Sequence, residues 1–188
     1  MADSMGDETP VAQNPTISQV QIVPAESVVK PGEKLELKIN VFNVLGQQLE
    51  TPSDVTFELS GPGKIEGLTF IAPEDVGHTG TTITAKVGDA SGKARTRIIP
   101  ELPWKFTFED AKDPPLSWVG ARYRHVIREI DGSPALTKIT TIPKGARSRA
   151  WMGHSDLSEY TISADVRGAR MSDQLPDIGL TGHGYVLD

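Results

Sequence analysis

The stretch VVKPGEKLELKINVFNVLGQQL, residues 28–49, decides the fold of the first half of the chain. Pro31 and Gly32 form a turn ahead of a run in which apolar and polar residues alternate strictly, and Gly46 allows the chain to reverse afterwards. A period of two places the apolar side chains on one face of an extended segment, so the run predicts a half-buried antiparallel strand. The apolar positions are Leu35, Leu37, Ile39 and Val41.

Seven short strands, separated by turns rich in Gly, Pro and Asp, are predicted over residues 17–100. No part of this region has a helical period. Many short strands with frequent turns are typical of a two-sheet sandwich, and we therefore predict an all-β fold with an immunoglobulin-like β-sandwich over residues 17–100. Residues 1–16 are acidic and polar and lack aromatic residues, which predicts a disordered linker.

The order of turn and core residues in this region resembles a bacterial Ig-like domain of the invasin/intimin type. The likeness covers nearly the whole segment and implies a fold rather than an activity. The residues that carry it are Val20, Pro24, Val29, Gly32, Leu35, Leu37, Val41, Asn43, Gly46, residues 55–63, Ile65, Phe70, Ala72, Pro73, residues 82–85 and residues 88–94.

Residues 101–103 are predicted to be a linker, and residues 103–188 continue with β-type patterns that begin at 104–108. This second segment resembles the opening half of a concanavalin/laminin-G-type jelly-roll, which implies a second β-sandwich. It supplies about seven strand-like runs before residue 188, where a complete jelly-roll uses eight or more, so we expect it to be incomplete. The likeness is carried by FTFED (106–110), Trp118, Asp131, Gly132, SEYTISADVR (158–167), DIGL (177–180) and Tyr185.

The two segments together resemble the C-terminal region of bacterial PQQ-binding-like β-propeller repeat proteins. That resemblance implies an extracytoplasmic location, in the periplasm or at the cell surface, and a propeller upstream of this chain. The N-terminal residues contain no apolar signal-peptide core, and no later run is long enough to span a membrane. We expect no PQQ site within the chain itself.

Composition excludes several kinds of chemistry. The chain has 188 residues and no cysteine, which rules out disulfides, thiolate catalysis and cysteine-ligated zinc. Its 19 basic and 25 acidic residues give a net charge of −6, so nucleic acid is not expected as a partner. The four histidines do not have metal-ligand spacing.

Aromatic residues place any carbohydrate site in the second segment, because every Trp and Tyr lies there. Sugar rings stack on exposed aromatic side chains, and Trp151, Trp118 and Tyr185 are our candidates. The alternative is that these rings belong to a core, as the alternation of Trp104 with Phe106 and Phe108 suggests.

Glu109 and Asp110 follow the first predicted strand of the second segment. In many jelly-roll carbohydrate-binding modules an acidic residue at this place helps to hold calcium, so the resemblance implies a structural calcium ion here, with Asp173 and Asp177 as weaker additions. The alternative is a solvated acidic loop. No other cofactor is expected.

The spacing of several basic residues predicts a positive strip, which an anionic polysaccharide or a nucleic acid could use. The alternative is a solvated surface whose charges pair with Glu129, Asp131, Asp156 and Glu159. The strip would consist of Arg122, Arg124, Arg128, Lys144, Arg147 and Arg149.

No nucleophile elbow, phosphate loop or dinucleotide fingerprint is present, and the nearest approach to a carboxylate pair, Glu129 and Asp131, borders a predicted hairpin turn. We therefore predict that the chain is not an enzyme and that it binds a glycan or a cell-surface partner, with the Ig-like part as a spacer. Two alternatives remain: a glycoside hydrolase or PQQ-propeller enzyme whose catalytic residues lie outside this chain, and a structural interaction scaffold.

Overall fold

The computed structural model describes residues 14–139, 149–168, 170, 173–176, 178–182 and 185–187. Most of the predicted linker 1–16 lies outside these residues, as do Lys144, Arg147 and Asp177. Apart from one helical turn, the regular structure of the described residues is all β, which confirms the predicted fold class. The first ten strands are β1 (Gln19–Val23), β2 (Glu26–Val29), β3 (Lys34–Glu36), β4 (Lys38–Phe42), β5 (Gln48–Leu49), β6 (Thr56–Ser60), β7 (Lys64–Glu66), β8 (Thr69–Ile71), β9 (Thr79–Val87) and β10 (Ala90–Ile98).

The longest strands, β9 and β10, form a hairpin at the centre of a four-stranded sheet with the order β2-β10-β9-β6. Strand β6 pairs antiparallel with β9, whereas β2 pairs parallel with β10. Gly88 supplies the positive φ of 55° at the hairpin turn. This sheet corresponds to the sheet of an immunoglobulin-like sandwich that contains its last two strands.

The second layer of the sandwich consists of two three-stranded sheets, with the orders β1-β4-β5 and β3-β8-β7. Strands β3 and β4 are separated by Leu37 alone and join the two sheets as one nearly continuous strand. Strand β4 pairs antiparallel with β1 and, at its end, with β5, while β3 pairs antiparallel with β8. Strand β8 pairs in turn with β7. The resulting order, β1, then β3–β4, then β8 and β7, is that of the other sheet of an immunoglobulin-like sandwich.

The predicted strand is confirmed as the organiser of this sheet. Leu37, Ile39 and Val41 are buried in the core and Leu35 is half-buried, while Glu36 and Lys38 between them are exposed. Both sheets contribute to one hydrophobic core, because each strand turns alternate residues inward. The core consists of Val20, Ile22, Val29, Leu37, Ile39, Val41, Phe70, Ala72, Ile83, Ala85, Val87, Ala94 and Ile98.

Asn43 fixes the turn that ends β4. Its side chain is buried, and its Oδ1 accepts hydrogen bonds from the backbone N–H groups of Leu45 at 2.9 Å and Gln47 at 3.0 Å. Its Nδ2 donates to the carbonyl oxygen of Asn14 and to Oε1 of Gln47, both at 2.9 Å. At the end of β4, the Asn43 side chain thus supplies hydrogen bonds to the backbone where pairing with a neighbouring strand ends.

Residues 100–139 contain one helical turn, α1 (Ala121–Arg124), and a hairpin of β11 (His125–Ile130) and β12 (Ser133–Lys138). Asp131 and Gly132 connect the two strands with φ of 52° and 79°, as a two-residue hairpin turn requires. The predicted strand at 104–108 does not form, and residues 160–167, which belong to a run that carries the jelly-roll likeness, form no strand either. At 104–108 the side chains alternate as expected, but they pack in a cluster of rings while the backbone pairs with no strand.

The chain divides into two compact units, one ending at His154 and the other beginning at Ser155. Within the second unit, β13 (Leu180–Gly182) and β14 (Tyr185–Leu187) pair antiparallel. The predicted jelly-roll and the boundary at 101–103 stay predictions. In the described part of the chain, no helix is long and apolar enough to cross a membrane.

Two glycines in turns of the sandwich provide a test of core packing. Gly63 has φ of 125°, and a Cβ there would lie 2.5 and 2.6 Å from ring atoms of the buried Phe70. Gly67 has φ of 60° and open space around it. We expect Gly63→Ala to lower the free energy of unfolding by about 3 kcal/mol or more, from backbone strain plus overpacking, and Gly67→Ala by about 1 kcal/mol. Urea unfolding measures both, and equal losses would contradict the packing described here.

Candidate functional site

Five rings cluster at the end of the sandwich where β9 begins and β10 ends. His78 precedes β9 directly, and its ring centroid lies 4.8 Å from the ring centroids of both Trp104 and Phe106. Trp118 lies edge to face against Phe106, also at 4.8 Å, and 6.1 Å from Phe108. These five residues are called the aromatic cluster below. Edge-to-face rings at such distances stabilise packing beyond the area that they bury.

The local sequence explains how the cluster forms. Residues two apart in an extended segment point to the same side, so Trp104, Phe106 and Phe108 present their rings together. The chain then turns, with the N–H of Trp118 donating to the carbonyl oxygen of Pro115 at 3.1 Å, and brings a fourth ring against them. Sequence reasoning found this alternation and interpreted it as a sheet strand.

The segment after the sandwich also covers the outer side of the four-stranded sheet. Gly80 is buried although it faces away from the core, because the core residues of β9, Ile83 and Ala85, lie at the odd-numbered positions of the strand. A Cβ at Gly80 would lie 3.6 Å from Cβ of Leu116 and 3.3 Å from the carbonyl oxygen of Thr96. The opposite residue of β10, Arg97, is also buried and forms an ion pair with Glu26.

His78 of the aromatic cluster contacts Ser117, and these two residue types are the ones that a hydrolase uses as base and nucleophile. Nδ1 of His78 lies 3.0 Å from Oγ of Ser117, but Ser117 is 1% exposed. Nε2 of His78 is buried and has no hydrogen-bond partner in the described structure, so no carboxylate orients the ring. Burial therefore shields the Ser117 hydroxyl from solvent in this arrangement.

Burial lowers the pKa of His78 below its ordinary value of 6.5. Its described neighbours, two aromatic rings and a hydroxyl group, carry no charge that would favour the imidazolium form. Folding therefore favours the neutral form of the His78 imidazole. Sequence reasoning missed this residue and Ser117, because a contact across 39 positions leaves no spacing signal.

Trp118 is part of the core of this cluster. It is 7% exposed, and Nε1 is buried without a hydrogen-bond partner in the described structure. Such a ring offers no face on which a sugar could stack, so we base no proposal on the predicted carbohydrate contact of Trp118. Trp104 is held differently, since its Nε1 donates to the carbonyl oxygens of Pro100 at 3.0 Å and Glu101 at 3.1 Å.

Trp151 has the opposite environment. It is 53% exposed, and two backbone hydrogen bonds to Val119 fix its backbone. The N–H of Trp151 donates to the carbonyl oxygen of Val119 at 2.9 Å, and the N–H of Val119 donates to the carbonyl oxygen of Trp151 at 2.8 Å. The guanidinium carbon of Arg149 lies 5.9 Å from the centroid of its ring, at the range of a cation–π contact. An aromatic ring on a fixed backbone, open to solvent and next to a cation, is suited to bind a ligand.

The other candidates are not brought to Trp151 by any described contact. Tyr185 lies in β14, and its side chain is outside what the structure describes. Glu109 and Asp110 are exposed and enter a turn that follows Phe108, whose φ is 62°. Over the described residues, no group of three or more His, Asp or Glu side chains could hold a metal ion. The calcium site stays a prediction.

Comparison with protein-family models and with curated proteins finds no match. Among solved structures, titin domain M7 is similar at 14% identity and a TM-score of 0.28, over 47% of this chain and 100% of that one. Domains 1–6 of the surface-layer protein SbsC are similar at 15% identity and a TM-score of 0.31, over 78% of this chain and 27% of that one. The complex of titin M10 with an Ig domain of obscurin-like 1 is similar at 14% identity and a TM-score of 0.22, over 48% of this chain and 96% of that one. The fold assignment rests on the strand order described above.

The lowered pKa of His78 predicts a loss of stability in mild acid. The unfolded chain binds a proton on this imidazole at a higher pH than the folded chain, so stability present above pH 6.5 is lost as the pH falls from 6.5 through the folded pKa. We expect the urea midpoint of the wild type to fall more steeply between pH 7.5 and 5.5 than that of His78→Gln. Parallel curves for the two proteins would contradict this.

The cluster also predicts how the chain responds to protease. Trp118→Ala removes a buried ring and should lower stability by about 3 kcal/mol locally, opening residues 100–118 to cleavage while β1–β10 stay protected. Limited proteolysis with mass mapping measures this. Trp151→Ala is the matched control, because its exposed ring holds no core together, and its fragments should match those of the wild type. Identical patterns for all three proteins would show that the cluster does not hold this segment.

Proposed function

We propose that this chain is a non-catalytic spacer and glycan-binding region of an exported protein. The Ig-like sandwich serves as the spacer, and the segment that follows it displays Trp151 as a platform for a sugar ring. The observation that carries the binding part is the environment of Trp151, which combines an exposed ring with a fixed backbone.

The spacer part is supported by how the chain leaves the sandwich. The N–H of Ile99 donates to the carbonyl oxygen of Val29 at 2.9 Å, and Lys30 forms an ion pair with Glu101 at 2.7 Å. Nε2 of His154 lies 3.3 Å from the carbonyl oxygen of Ile99. With the aromatic cluster, these contacts hold residues 99–118 against the sandwich, and a spacer that transmits position needs such a stiff junction.

The binding part is supported by the chemistry of Trp151. Indole is large, flat and rigid, so stacking a sugar on it orders few bonds. Because Val119 holds the backbone through two hydrogen bonds, the ring is displayed before any ligand arrives. Val119 is itself exposed and extends the apolar surface beside the ring.

The absence of catalysis is part of the proposal. In the His78–Ser117 pair the hydroxyl-bearing residue, Ser117, is buried. The carboxylate pair considered from the sequence, Glu129 and Asp131, lies at the end of the β11–β12 hairpin, with Asp131 in its turn. No specific observation favours the glycoside hydrolase or the PQQ-propeller alternative within this chain. An exported location and a structural calcium ion remain part of the proposal through resemblance alone.

A glycan array followed by isothermal titration calorimetry tests this function. We expect Trp151→Ala to weaken binding of the selected glycan about tenfold, because the stacking surface is lost. Trp151→Phe keeps a flat ring and should retain most of the affinity. Binding that is equal in all three proteins, or absent in all of them, would contradict the proposal and favour a structural scaffold.

A further inference from the structure

The surface around Trp151 carries a charge that stacking alone does not require. Val119 and Trp151 pair directly across an antiparallel bridge, and Arg149 lies two residues before Trp151 in the same segment. Side chains two apart in an extended segment point to the same side, and the cation–π contact confirms this for Arg149. Val119, Arg149 and Trp151 are called the Trp151 face below.

Within the part of the chain that the structure describes, Arg149 forms no ion pair. Its side chain is exposed. Its guanidinium therefore keeps its hydrogen-bond donors available beside the ring.

We propose that the Trp151 face binds an acidic glycan, with one sugar ring on Trp151 and the carboxylate of a uronic acid on Arg149. This inference rests on the glycan-binding function proposed above and names the ligand class of that site. A guanidinium is planar and pairs with a carboxylate through two parallel hydrogen bonds, and contact with the indole holds it in place. Stacking and ion pairing thus act on adjacent groups of the same ligand.

A nucleic acid also combines rings with negative charge, but the charge of this chain favours a glycan. Nucleic-acid binding depends on neutralising several phosphates, and the net charge here is −6. A uronic acid needs one cation beside one ring, which is what the Trp151 face supplies. The two ligand classes give different results in the experiment below.

The test uses oligogalacturonate and its methyl ester, which share their sugar rings and differ in charge. We expect the wild-type chain to bind the acid more tightly than the ester, and Arg149→Gln to weaken binding of the acid about fivefold while leaving the ester unchanged. Raising sodium chloride from 50 to 500 mM should weaken acid binding more in the wild type than in Arg149→Gln. Lys93→Gln, a loss of one exposed positive charge on β10, is the control and should change neither affinity.

The outcomes separate the two proposals. Equal affinity for acid and ester, with no effect of Arg149→Gln, overturns the acidic ligand but leaves glycan binding in place. Binding of neither sugar overturns the acidic ligand alone, whereas glycan binding that Trp151→Ala leaves unchanged overturns the proposed function and this inference with it. Tighter binding of a single-stranded oligothymidylate than of oligogalacturonate, lost in Arg149→Gln, overturns the glycan in favour of a nucleic acid.

Discussion

The pairing of Val20 with Val41 and of Ile22 with Ile39 joins β1 to β4 through four buried side chains, and the sandwich depends on the face that they form. Because side chains alternate along a strand, this face points at the hairpin of β9 and β10, whose Ile83, Ala85 and Ile98 close the core from the other sheet. A slip of one residue in β4 would expose its whole apolar set. The register is therefore fixed by burial, and the turns follow from it.

The aromatic cluster is a second, smaller core that depends on the first. His78 has its position because β9 begins directly after it, and the rings of Trp104, Phe106 and Trp118 need that fixed end to pack against. Small apolar clusters of this kind gain stability by adding to an existing surface, since the sandwich has already lost its chain entropy on folding. Residues 99–118 are therefore ordered by the sandwich rather than by a sheet of their own.

Sequence patterns predicted the features that depend on local alternation. They failed where a contact with a residue distant in the chain determines the structure. The burial of Leu37, Ile39 and Val41 and the hairpin at Asp131 and Gly132 follow from spacing and turn chemistry. Alternation at 104–108 predicts which side chains point to the same side, but a strand also needs backbone hydrogen bonds to a neighbouring strand. These residues pack through their aromatic rings instead. The contact of His78 with Ser117 crosses from the sandwich to the next segment, and no local rule contains it.

One short bridge explains why two tryptophans that the sequence treats alike have opposite environments. Trp118 is 7% exposed and Val119, the next residue, is 42% exposed, so the chain turns the first side chain inward and the second outward. When Val119 pairs with Trp151, the two share a side across the bridge, and that side is the one away from Trp118. The burial of Trp118 in the aromatic cluster therefore turns Val119 and Trp151 toward solvent. The exposed ring is in this way a consequence of the packed one, and any ligand of Trp151 is held by a surface that the aromatic cluster orients.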